Sequence, residues 1–152
     1  MGRIFEDIMT AFLKKYPFSI LVAGLIFYLS IRPTVPDVFY LSESNRIVYQ
    51  TEARTIDILY FRDFFGHMAF YFLLSCMLLL ESWKDGVALY SRKMLLVVVA
   101  IPVVYGAVIE FVQEYFFPPR SAEWMDWLSD ILGACIAYYL TSKWLTNKYK
   151  KV

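Results

Sequence analysis

This chain of 152 residues has two cysteines, one histidine and almost no net charge. Its two cysteines, Cys76 and Cys135, lie inside long apolar runs, where a thiol packs as a small hydrophobe, so no disulfide framework is expected. A formal net charge of +1 argues against nucleic-acid binding, which needs a basic surface to neutralise phosphates. The sequence also has no glycine-rich phosphate loop, Cys-x-x-Cys pair, His-Glu-x-x-His or Gly-x-Ser-x-Gly motif. We therefore expect no cofactor, and the common soluble enzyme classes are not indicated.

Hydrophobic residues, by contrast, make up 59% of the chain. They are concentrated in four segments near the ~20 residues that cross a bilayer, at about 12–31, 64–80, 94–117 and 124–145. The sequence thus predicts an all-α polytopic membrane protein, a single domain over residues 1–152 with four transmembrane helices. An extracytoplasmic loop over residues 33–60 is expected between the first and second helices. A cleaved signal peptide is the competing interpretation of the first segment, but Arg32-Pro33 follows it in place of a small-residue cleavage site.

The basic residues predict the orientation of these helices, because lysine and arginine are retained on the cytoplasmic side during insertion. With the N-terminus inside, all eight lysines fall on the cytoplasmic side of the four predicted spans. Five of the arginines fall outside, but none of the lysines does. We therefore expect a multi-pass protein with both termini in the cytoplasm.

Ionisable and amide side chains within the predicted spans are the main functional signal, since such groups are costly in hydrocarbon and need a partner or a task. They occur as pairs three or four residues apart, which share one helix face, and the predicted topology puts each pair near the outer end of its helix. The candidates for proton transfer are Glu110 and His67. The candidates for substrate binding are Arg120, Gln113, Asp63, Asp126 and Asp130. Three helices would thus bring these groups to one layer.

Ordinary helix-to-helix pairing is the alternative reading of the same residues. Arg120 would then pair with Asp126, His67 with Glu110, and Gln113 with a backbone carbonyl. Gly106 and Gly133 fit either reading, as small residues that let helices approach closely. A metal site built from the histidine and the carboxylates ranks below pairing, because a single histidine without a spacing motif is a weak signal.

Several of these residues fall in motifs that resemble the VanZ-like family. The matching positions are Asp63-Phe64-Phe65-Gly66-His67 with Phe70-Tyr71, then Tyr105-Gly106, Glu110-x-x-Gln113, a proline, Arg120, Asp126 and Gly133. Phe64 and Asp130 depart from the pattern, since the family usually has lysine and asparagine there. The resemblance implies a small bacterial protein of the cytoplasmic membrane, associated with low-level teicoplanin resistance, and it specifies no reaction.

These observations lead to two main hypotheses. The first is an outer-leaflet polar site that binds or modifies a lipid headgroup or a lipid-linked wall precursor, with Arg120 clamping phosphate or carboxylate. The second is a non-enzymatic scaffold that packs against other envelope proteins, in which the polar residues only hold the helices together. A small transporter ranks last. The sequence leaves open whether the protein is an enzyme and whether it forms oligomers.

Overall fold

The computed structural model describes residues 2–31, 48–116 and 124–149. In this part of the chain every regular element is helical, which confirms the all-α prediction. The elements are α1 (Gly2–Lys15), α2 (Pro17–Ile31), α3 (Val48–Lys84), α4 (Arg92–Leu95), α5 (Ile101–Phe116) and α6 (Trp124–Tyr149), with a π-helical turn at Leu96–Ala100 between α4 and α5.

The first predicted span is divided in the structure. α1 ends at Lys15 and α2 begins at Pro17, so the prediction of one helix over 12–31 is wrong. Proline is well placed at a first helical position, and it disfavours helical backbone in the residue before it. The break at Tyr16 is small, because the Tyr16 N–H still donates to the Phe12 carbonyl at 3.0 Å. α2 alone is about 22 Å long, shorter than the ~30 Å of a hydrocarbon core.

The second span belongs to a much longer helix than expected. α3 has 37 residues and a length of about 55 Å, and it includes residues 48–60, which we predicted as part of the outer loop. Residues 48–60 are therefore helical and not an irregular loop, whereas their place outside the membrane stays a prediction, and residues 33–47 lie outside the described residues. The reason is local: the sequence has neither proline nor glycine between Pro36 and Gly66, so nothing interrupts the helix.

α3 ends in a Schellman motif. Gly86 adopts a φ of 81°, a left-handed conformation that favours glycine. Its N–H donates to the Trp83 carbonyl at 3.0 Å, and the Val87 N–H donates to the Ser82 carbonyl at 3.1 Å. This turn reverses the chain, so that the following helix runs back along α3.

The third predicted span forms one continuous helical segment that contains a π-helical turn. The Ile101 N–H donates to the Leu96 carbonyl, five residues earlier, just before Pro102. Proline has no N–H to donate, and a wider turn before it accommodates both that loss and the ring. Pro102 is buried. The π-helical turn therefore lies in the half of the segment that precedes Glu110.

The helices pack around a core that α3 shares most extensively with α6. Gly133 of α6 lies so close to the Met68 carbonyl of α3 that a Cβ there would overlap it. Buried apolar side chains of α2, α3 and α6 continue this core along the bundle, among them Ile26, Leu79 and Leu145.

Large apolar side chains also cover the outside of the bundle, including Leu21, which is 68% exposed, and Leu96, which is 61% exposed. Two segments, Asp63–Lys84 and Arg92–Phe116, are long and apolar enough to cross a membrane. α2 is a shorter apolar helix. The chain is therefore a helical protein with membrane-compatible helices, while four spans remain a prediction.

Candidate functional site: a histidine and carboxylate cluster between three helices

Three helices meet at the candidate site. The contact of Gly133 with the Met68 backbone brings α6 directly against α3, one residue from His67. Asp126 and Asp130 lie one turn apart in the first turns of α6, so both can face α3. The close contact between the α3 and α6 backbones at Gly133 therefore determines which side chains of α6 reach His67.

His67 lies between these two carboxyl groups. Its Nδ1 is 3.1 Å from Oδ1 of Asp130, at hydrogen-bond distance, and its Nε2 is 3.6 Å from Oδ2 of Asp126. The side chain of Asp130 is 1% exposed, whereas those of His67 and Asp126 are 22% and 17% exposed. The described hydrogen bond of His67 goes to Asp130, a contact that neither reading of the sequence named, and the expected pairing of His67 with Glu110 stays a prediction.

Glu110 of α5 completes the cluster. It is 7% exposed, and it lies about 9 Å before the C-terminal end of α5 at Phe116. One carboxylate oxygen of Glu110, one of Asp126 and one ring nitrogen of His67 all lie within 4.8 Å of one another. Each of the three helices thus contributes one potential metal-ligating or proton-exchanging atom to a single small space.

A second glycine accommodates the buried side of the cluster. Gly106, one turn before Glu110 on α5, lies against Oδ2 of Asp130, and a Cβ there would overlap that oxygen. The hydroxyl of Tyr71 lies beside the same position, and Tyr71 is 1% exposed. Within the described residues, neither Oδ2 of Asp130 nor the Tyr71 hydroxyl has a hydrogen-bond partner. The buried side of the cluster therefore contains two polar atoms without a described hydrogen-bond partner.

The composition of the cluster determines its electrostatics. Three carboxyl groups surround one imidazole, which carries at most one positive charge. Like charges a few ångströms apart in a poorly solvated site repel strongly, so protons or a bound cation stabilise such a cluster. A site of this kind can exchange protons and can hold a cation.

Gln113 and Asp63 are the other predicted site residues in the described part of the chain, and neither is among the three possible metal ligands. Gln113 is buried, and its side-chain amide donates to the Ser30 carbonyl of α2 at 2.9 Å, which is the backbone pairing that the alternative reading expected. Asp63 is exposed, one turn before His67 on α3. Arg120 lies outside the described residues. The roles assigned to these residues stay predictions.

The opposite end of the bundle contains a polar contact that the sequence analysis missed. Glu81 of α3 is 7% exposed, and its carboxylate accepts hydrogen bonds from the Phe18 N–H at 2.8 Å, the Ser19 N–H at 3.3 Å and the Ser19 hydroxyl. It thereby caps the N-terminus of α2 from another helix. A buried acid at the end of an apolar run was the available signal, but its partner is 62 residues away in sequence.

Asp85, just beyond α3, forms an exposed ion pair with Lys15 at 3.0 Å. The hydrogen bond that the Lys15 ammonium donates to this carboxylate raises the pKa of Lys15 above its usual range. Acidic groups at this end of α3 therefore hold both the end of α1 and the start of α2.

Comparison with known proteins identifies the family. The VanZ/LLP1 family model matches residues 14–146, which is nearly the whole chain. The chain belongs to the VanZ/LLP1 family. The match begins before α2 and ends within α6, so it extends on both sides of the Asp63 to Gly133 motifs and includes every residue of the cluster. Searches of curated proteins and of solved structures gave no significant match.

Proposed function

We propose that this VanZ/LLP1 protein is a multi-pass protein of the bacterial cytoplasmic membrane that binds or modifies the polar part of an envelope lipid or lipid-linked wall precursor. The observation that carries the proposal is the meeting of His67, Glu110 and Asp126 within 4.8 Å between three helices whose outer surface is apolar. Ionisable groups in such a setting are costly unless they have a task.

The charge distribution along the bundle supports an orientation for this site. The described lysines lie at one end of the bundle, where the C-termini of α1, α3 and α6 are found. This end is far from the cluster along the helices. Lysine-rich ends stay in the cytoplasm, so the cluster would lie toward the outer leaflet and both termini inside. A reporter active only in the cytoplasm, fused after Val152, should be active, and an inactive fusion of a correctly folded protein would reverse the orientation.

The proposed chemistry uses the groups in the cluster. His67 and Glu110 are placed to exchange protons with a bound molecule, because both are within reach of the same small space. Arg120 remains the proposed clamp for a phosphate or carboxylate on that molecule, since guanidinium geometry suits such anions. A change in the abundance or headgroup of an envelope molecule would alter the binding of glycopeptides such as teicoplanin.

Comparison of envelope composition tests this function. Lipids and wall precursors should be compared between a deletion strain, a strain with the wild-type protein and strains with Glu110→Gln or His67→Ala. The expected result is that both variants reproduce the deletion profile and susceptibility at normal protein abundance. Glu114→Gln, at an exposed acid one turn further along α5, should behave as wild type. Variants that keep the wild-type profile would refute the proposal.

A non-enzymatic scaffold is the second candidate, and the Gln113 amide favours it. This side chain bonds to the backbone of α2, which holds helices together without any ligand. If the protein is a scaffold, the antibiotic susceptibility of each cluster variant should change only in proportion to the abundance of the protein. The same strains allow both quantities to be measured.

A further inference from the structure

We propose that His67, Glu110 and Asp126 bind one divalent transition-metal ion, with Asp130 orienting the histidine. The three ligand atoms come from three different helices and lie within 4.8 Å of one another. Imidazole together with two carboxylates suits zinc, manganese or iron, whereas calcium and magnesium prefer all-oxygen sites.

The orientation of the imidazole is the first supporting observation. Nδ1 of His67 is 3.1 Å from the Asp130 carboxylate. With the proton on Nδ1, the histidine donates to this carboxylate, and the Nε2 lone pair is directed away from Asp130. A carboxylate behind a histidine is the usual support of a metal-binding imidazole, because it determines the tautomer and increases the basicity of the ligand nitrogen. Asp130, at 1% exposure, is positioned for that support.

The distance from Nε2 of His67 to Oδ2 of Asp126 is the second observation. At 3.6 Å it is too long for a direct hydrogen bond, and both atoms carry lone pairs when the histidine is neutral. An ion about 2.1 Å from each atom would join them at an angle of about 120°, which is close to tetrahedral geometry. The widest ligand pair, at up to 4.8 Å, would have to close by about 1.4 Å to reach the ~3.4 Å that tetrahedral geometry requires, so the three helices must move slightly toward one another on binding.

The unused acceptor beside the cluster is the third observation. Oδ2 of Asp130 is fully buried against Gly106 and has no donor among the described residues. A buried carboxylate with an unmet oxygen indicates a missing cation or donor nearby, since such atoms are normally satisfied. A metal on His67 would add positive charge directly behind this carboxylate. A cation at the cluster would therefore offset part of the negative charge that Asp130 buries.

Three protein ligands leave at least one position open, as in catalytic metal sites and unlike closed structural ones. That position suits a phosphate or carboxylate oxygen of a substrate, and the ion would offset the repulsion that three carboxyl groups exert on an anionic headgroup. This last step rests on the proposed function, whereas metal binding itself does not.

Metal content of the full-length protein, purified in detergent with any histidine tag removed, is the test. After incubation with Zn²⁺ and dialysis, elemental analysis should give about one ion per chain for the wild type and for Glu114→Gln. Glu110→Gln and His67→Ala should lose at least tenfold in affinity. Asp130→Asn should lose about 10- to 100-fold, as expected for a supporting carboxylate. Equal binding by the wild type and by the ligand variants would overturn the proposal.

A second measurement, cobalt binding by the wild-type protein, identifies the ligands of the ion without any variant and so still tests the proposal if a variant fails to fold. The wild-type protein loaded with Co²⁺ should show visible absorption bands without thiolate charge transfer, and X-ray absorption should show one imidazole among oxygen ligands. A thiolate signature would assign the ion to Cys76 or Cys135 instead of the cluster. The absence of bound cobalt would show that the protein has no such metal site. Either result refutes the inference. If the protein binds metal but the deletion strain has the same envelope composition as the wild type, only the proposed function is refuted. If deletion changes the envelope composition but the protein binds no metal, only this inference is refuted.

Discussion

Removal of the Glu81 carboxylate is the sharpest test of how this bundle is held together. Glu81 is buried and accepts hydrogen bonds from the first free N–H groups of α2 and from the Ser19 hydroxyl. A hydrogen bond to a charged group contributes about 1.5–3 kcal/mol, and a charge at a helix N-terminus contributes up to about 2 kcal/mol when partly buried. These contributions overlap, so we expect Glu81→Ala to lower the free energy of unfolding by about 2–4 kcal/mol.

Two further variants separate the components of this loss. Glu81→Gln keeps an acceptor oxygen but removes the charge, so about 1–2 kcal/mol should be lost. Ser19→Ala removes only the hydroxyl and should cost about 1 kcal/mol. In the double variant the losses should not add, because the two side chains contact each other.

Equilibrium unfolding in mixed micelles with increasing SDS, followed by circular dichroism, measures these differences. Glu6→Ala is the matched control, because Glu6 is an exposed glutamate on α1 and its variant should stay within about 0.5 kcal/mol of the wild type. If Glu81→Ala unfolds at the same SDS fraction as the wild type, the capping contact does not hold α2 in place, and the reasoning fails.

Three other substitutions give distinct outcomes in the same unfolding assay. Gly133→Ala should lose about 1–3 kcal/mol, because its Cβ would overlap the α3 backbone, while Gly24→Ala, where a Cβ meets nothing within 4 Å, should gain up to about 1 kcal/mol. Gln113→Ala should lose about 1 kcal/mol through its bond to the α2 backbone, and unchanged metal affinity at the cluster would distinguish this role from ligand binding. Asp130→Asn keeps an acceptor for His67 and adds a donor, so stability should be retained even as metal binding weakens; a loss above about 1 kcal/mol would contradict this.

Much of the fold follows from local sequence signals. The apolar runs predict helices, and Gly86, in a left-handed conformation, ends α3 where the second apolar run ends. The break at Tyr16 follows from Pro17, although the length of the apolar run concealed it. The extension of α3 to Val48 was not predicted, although the absence of proline and glycine allows the helix to continue through this segment.

The site was only partly predictable, because helix rotation and the exact approach of neighbours are tertiary properties. Spacing placed His67, Glu110 and Asp126 on suitable faces, and the structure brings them within 4.8 Å. Spacing did not indicate that His67 would bond to Asp130, since that depends on the close approach at Gly133. Glu81 was missed for the same reason, as its contact with α2 joins segments distant in the sequence.

The buried polar groups of this protein differ in what they bond, and that difference separates structural residues from candidate functional ones. Glu81, Gln113 and the Tyr105 hydroxyl, which donates to the Ala23 carbonyl at 2.7 Å, all satisfy backbone atoms of α2. Such bonds stabilise a helix contact whether or not a ligand is present. His67 and Asp130 instead bond to each other, beside two further carboxyl groups. A leucine or phenylalanine in these places would pack three apolar helices without repulsion, so helix packing alone does not account for the cluster. This contrast between the two groups of buried polar residues supports the proposals that the cluster holds a cation or a substrate.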